Sequence, residues 1–184
     1  MEATTESIAV AAIVHQGKGQ ADATLLEFVQ QLQAQGHTVR GLLPGPQADP
    51  SDCTTRTVRD IATGTLYPIS QNLGKASQAC CLDTSALVRC AVVLRNALEQ
   101  GADLVVINRF GILEADGQGF SAEFLELISS GQPVLTVVSL PYLDAWREFT
   151  GGLATELPLN VQALHDWFNS IQQASSSPTA LNAQ

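Results

Sequence analysis

Residues Gln16 to Thr24 read QGKGQADAT and lie between an apolar run, 8–14, and a helix-like run, 25–32. A strand, a glycine-bearing turn and a helix together make a phosphate cradle, because free backbone N–H groups at the helix start point at an anion. Against the cradle pattern G-x-x-x-x-G-K-[ST], Gly17 and Thr24 match, but Asp22 replaces the second glycine and Ala23 the phosphate-gripping lysine. Asp22 reads as a helix N-cap accepting the first N–H groups, worth ~1 kcal/mol. A carboxylate there is an internal phosphate mimic that repels a polyphosphate.

Two other groups of residues have the chemistry to hold an anion. Ser70, Gln71, Lys75, Ser77 and Gln78 are the densest cluster of hydrogen-bond donors in the chain. Hydroxyls, amides and backbone N–H groups can hold a tetrahedral oxyanion without a full countercharge. The alternative is a polar loop of ordinary composition. Asn108 and Arg109 follow an apolar run, and Arg109 could grip an anion with two parallel bonds or neutralise Glu114 or Asp22 as a structural ion pair. His15, His37 and His165 are scattered, with no serine or cysteine in a nucleophile motif. Cys53, Cys80, Cys81 and Cys90 lack CxxC spacing and read as ordinary reduced thiols, with the adjacent Cys80 and Cys81 as an open question. Trp146 and Trp167 fall in apolar helical patterns and read as core.

A length of 184 residues fits one domain with a substantial core. Only 15% of residues are charged, against roughly 25% in an average domain. Sparse charge points to much buried surface, including a homo-oligomer interface. A net charge of −9 argues against general nucleic-acid binding. No apolar run approaches the ~18–20 residues that cross a bilayer, and no basic region precedes the first apolar stretch, so the expected location is the cytoplasm.

Strand and helix patterns alternate along the chain. A second strand is expected over 37–43, a β-hairpin insertion at about 53–70, and a helix capped by Asp83 or Thr84 running to about Gln100. In that helix Leu87, Val88, Ala91, Leu94 and Leu98 are expected on the inner face. A buried strand over 102–107 follows, then a helix over 119–130, a strand over 133–138, and helices over 142–149 and 160–173. The expected organisation is one domain over 7–173 with a disordered tail over 174–184. The fold class is α/β, a mostly parallel sheet with helices on both faces and a hairpin insertion. Ligands of such sheets gather at the carboxyl ends of the strands.

The strand leading to Asn108-Arg109-Phe110-Gly111 and Glu114 resembles that of the thermophile-type nucleoside-triphosphatases, a P-loop family. The segments 35–41, 60–64 and 131–136 are also similar to that family, and the likeness covers roughly 8–150. It implies a P-loop NTPase-like fold. In the active family the strand ends in an acidic Walker B pair, where this chain has Asn108 and Arg109. With the Walker A lysine also replaced, the means of phosphoryl transfer are missing. Lys18, between Gly17 and Gly19, matches the signature lysine of deviant Walker A loops, or else is a solvated lysine in a turn.

The chain is more similar still to an uncharacterised bacterial family of degenerate members of this group. The shared stretches are ISQ-x-LG (69–74), C-x-L-D (80–83), N-[KR]-F-G (108–111), E-x-[DE]-G-x-G (114–119) and Ala145-Trp146. Genes of that family often stand beside molybdate-transport genes, which implies a role in molybdate handling. The expected function is non-hydrolytic binding of a small oxyanion, molybdate or tungstate favoured, by Gly17, Lys18, Gly19, Thr24, Ser70, Gln71, Lys75, Ser77, Asn108 and Arg109. No catalytic residue, metal or membrane partner is expected. The alternatives are a weak nucleotide-binding protein or residual hydrolase using Lys18, and a homo-oligomeric scaffold with a vestigial pocket.

Overall fold

The structure, a computed structural model, describes residues 8–16, 20–47, 55–70 and 82–176. Seven strands form one sheet in the order β4-β3-β2-β5-β6-β1-β7. These are β1 (Val10–His15), β2 (Val39–Pro44), β3 (Thr57–Asp60), β4 (Leu66–Pro68), β5 (Leu104–Phe110), β6 (Val134–Ser139) and β7 (Thr155–Leu157). The pairs β1–β6, β1–β7, β2–β5 and β5–β6 are parallel, while β3 pairs antiparallel with both β2 and β4. The expected hairpin therefore extends the sheet at its edge.

Strand periodicity sorts the core onto the two faces. Leu104 and Val106 of β5 pack with Ala11 and Ile13 of β1 against α1 (Gln20–Ala34) and α6 (Val161–Ser176). Val105 and Ile107 pack with Val10 and Ala12 against α2 (Thr84–Gln100), α4 (Ser121–Ser129) and Trp146 of α5 (Leu143–Phe149). Apolar residues on both faces explain why the central strands read as continuous apolar runs. The short α3 (Ile112–Ala115) follows β5 directly. Gly41 has φ +110°, and a β-carbon there would run into the Val106 carbonyl, so β2 and β5 approach closely only because it is glycine.

Several expectations were off by a few residues or by a helical phase. The helix after β1 begins at Gln20, so Asp22 stands inside its first turn instead of capping it. Asp83 caps α2 as expected, accepting from the Ser85 N–H at 2.9 Å and the Ala86 N–H at 3.3 Å. Val88 was expected on the inner stripe of α2 but is 66% exposed, because that stripe follows Leu87, Cys90, Ala91 and Leu94. β7 was not anticipated, and α6 continues to Ser176, past the expected end at Gln173. Among the described residues, no helix is long and apolar enough to cross a membrane.

Candidate functional site

The chain leaves β5 through a kink held by two buried side chains. Ile107 is in register with Thr136 and Phe110 with Val138, so β5 carries an extra residue between the two pairings. Such a bulge re-aims side chains at a strand end. The fully buried Thr136 hydroxyl spans it, donating to the Ile107 carbonyl at 2.7 Å and accepting from the Phe110 N–H at 3.2 Å. Asn108 and Arg109 are the two residues bracketed by those bonds.

Glu114 fixes the segment beyond. Its carboxylate accepts from the Gly111 N–H and the Phe120 N–H, both at 3.0 Å, and the residue is buried. Burial pushes its pKa above the ordinary carboxylate value, against the opposing pull of those N–H bonds. Gly119, at φ +58°, lies so close that a β-carbon there would overlap the Glu114 carboxylate. The E-x-[DE]-G-x-G stretch is thus a structural clip, and it holds Arg109 at the sheet edge.

Arg109 reaches from β5 to α1. Its Nη2 donates to Asp22 Oδ1 at 3.2 Å and Oδ2 at 3.4 Å, joining residues 87 apart in sequence. Of the two ion-pair partners open to Arg109, the structure therefore selects Asp22 over Glu114. The cation comes from the end of β5 and the anion from the first turn of α1. An acidic residue in the first turn also suits the helix dipole. The pair is partly exposed, at 43% for Arg109 and 31% for Asp22.

The other expected site residues divide by position. Thr24 lies about 6 Å along α1 from its start, and its hydroxyl donates back to the Gln20 carbonyl at 3.4 Å. That bond lies within the helix body. Ser70 bridges to Leu82, and its hydroxyl donates to the Arg56 carbonyl at 3.5 Å. Because β4 runs in the direction of β2, Ser70 leaves the sheet at the same carboxyl edge as Arg109, about 14 Å away across three strand spacings. Gly17, Lys18, Gly19, Gln71, Lys75 and Ser77 lie outside the described residues. So do Gln78, Cys53, Cys80 and Cys81. Asn108 Oδ1 is buried with no hydrogen-bond donor against it among the described residues.

The remaining candidates are structural. Burial pushes the Cys90 thiol up to about 11, so it stays protonated at neutral pH. Trp146 packs edge-on against Phe110 at 5.1 Å and Phe124 at 5.9 Å, and Trp167 is buried in the opposite core. His165 bonds Gln31 at 2.7 Å between α6 and α1. Among the described residues, no three His, Cys, Asp or Glu side chains are grouped to hold a metal ion. The residues that sequence reasoning missed are Thr136 and the clip role of Glu114. A lone threonine in an apolar strand, two residues into β6, was the available signal.

Three comparisons bear on this geometry. The family described as "Protein of unknown function (DUF2478)" matches residues 10–167. A molybdenum import ATP-binding protein, ModC 2, of Bradyrhizobium diazoefficiens is 36% identical over 160 residues, 86% of this chain. The chain spans only 18% of that relative's length. The solution structure of a human cancer-related nucleoside triphosphatase superposes with a TM-score of 0.63 at 18% identity, covering 92% of this chain and 97% of that one. The fold, a seven-stranded, mostly parallel α/β sheet with helices, matches that of this nucleoside triphosphatase.

Proposed function

The chain belongs to the DUF2478 family, and from that premise we propose that it binds a small oxyanion at the carboxyl edge of its sheet without hydrolysing nucleotide. One observation carries the reading: an arginine, not an acid, stands at the end of β5, held there by Thr136 and Glu114 and facing the first turn of α1. In a magnesium-dependent triphosphatase that strand end must hold a cation. A guanidinium repels one and offers planar donors that match an oxyanion. Among the described residues, Arg109 spends only Nη2 on a hydrogen bond.

Molybdate is the favoured ligand. It is supported by the relative named for molybdenum import, whose matching stretch belongs to a much longer protein. The setting is the cytoplasm, as part of molybdenum handling. A homo-oligomer is supported by the exposed Val88 (66%) and Val92 (49%), one turn apart on α2, and Leu125 (51%) on the neighbouring α4. Sedimentation of the wild type and Val88→Asp would test that assembly, with dissociation expected in the variant.

The test of binding is a thermal-shift screen against molybdate, tungstate, sulfate, phosphate, ATP and GTP, with and without magnesium. A ligand at 100 times its Kd adds ~2.7 kcal/mol to native stability. Stabilisation by oxyanions, independent of magnesium, is expected. Magnesium-dependent nucleotide turnover well above a boiled control would overturn the reading in favour of a residual hydrolase.

A further inference from the structure

Resting on the oxyanion reading, we infer that Asp22 is a resident competitor for Arg109, so that the chain carries its own weak anion in the site. Nη2 belongs to both two-pronged edges that a guanidinium offers an oxyanion, and it is the nitrogen that Asp22 holds, at 3.2 and 3.4 Å. A ligand gains a bidentate grip only by taking that nitrogen from the carboxylate or by sharing it at close like-charge contact.

The two partners differ in how firmly they are set. Arg109 is anchored by the bonds of Thr136 and Glu114 on either side of it. Asp22 stands in the first turn of α1, and among the described residues its carboxylate bonds only Arg109, in a partly exposed ion pair. Opening that pair is cheap, because exposed ion pairs contribute little. The carboxylate therefore sets a threshold: it yields to an anion that binds well and keeps Arg109 neutralised against those that bind poorly. The loss of the cradle's second glycine to Asp22 then has a use beyond the loss of nucleotide binding.

The experiment is a calorimetric titration of sodium molybdate and sodium sulfate into the wild type, Asp22→Asn and Asp22→Ser. Thermal melts confirm that both variants fold, and serine guards against an asparagine that still occupies Arg109. Both variants are expected to bind each anion about two- to threefold more tightly, the factor that losing a weak competing pair releases. A variant that binds where the wild type shows nothing measurable also supports the inference. Equal or weaker affinity in both variants overturns it while leaving the oxyanion reading intact. Absence of binding in all three proteins overturns both.

Discussion

Two carboxylates lie at the same edge of the sheet and have opposite fates. Glu114 is buried, bonded to two backbone N–H groups, and carries a raised pKa because burial outweighs those bonds. Asp22 is partly exposed and bonded to a guanidinium across the top of the sheet. A buried acceptor serving backbone donors cannot leave without stranding them. An exposed acceptor serving a charged side chain can leave at little cost, because water replaces it. One carboxylate is thus part of the scaffold and the other is exchangeable.

The sharpest way to break that contrast is truncation. Glu114→Ala leaves the Gly111 and Phe120 N–H groups without partners, and a loss of about 3 kcal/mol is expected in urea unfolding. A cost under about 1 kcal/mol would show that water substitutes and that the clip is not needed. Thr136→Val keeps the shape but removes the hydroxyl that spans the bulge, and about 2 kcal/mol is expected. If Arg109 depends on that bulge, this variant also weakens oxyanion binding at temperatures where it remains folded.

A pH series tests the buried acid further. Because the folded pKa of Glu114 is raised, the native protein holds a proton that the unfolded chain, at the ordinary value of 4.5, has released. Its favourable contribution is therefore complete below 4.5 and is lost as pH rises through the raised value. The stability gap between the wild type and Glu114→Gln should widen as pH falls through that window, and an unchanging gap would place the carboxyl in a water-like setting. The smallest effect belongs to Asp22→Asn, with a stability change of about 0.5 kcal/mol or less. A large loss there would make the Asp22–Arg109 pair part of the scaffold and erase the contrast.

The sequence made the fold legible where patterns are long. The continuous apolar run of β5, the capped and glycine-ended α2, and the hairpin at 57–68 all stand close to where their patterns put them. The three-residue β7 is too short to show a periodicity. Asp22 misled as a cap because side-chain chemistry does not reveal where a helix begins, and here it begins at Gln20. The pairing of Arg109 with Asp22 was only one of several options, since contacts 87 residues apart depend on the bulge and its buried Thr136. A bulge of that kind leaves no mark in an apolar strand beyond one hydroxyl.

The most direct test of the central claim is a calorimetric titration of molybdate into the wild type and Arg109→Ala under identical buffer and temperature. The account predicts a saturable isotherm in the wild type that disappears in the variant while its thermal melt stays close to that of the wild type. An isotherm unchanged by the loss of Arg109, or no binding of any oxyanion beside clear magnesium-dependent binding of ATP, would contradict it.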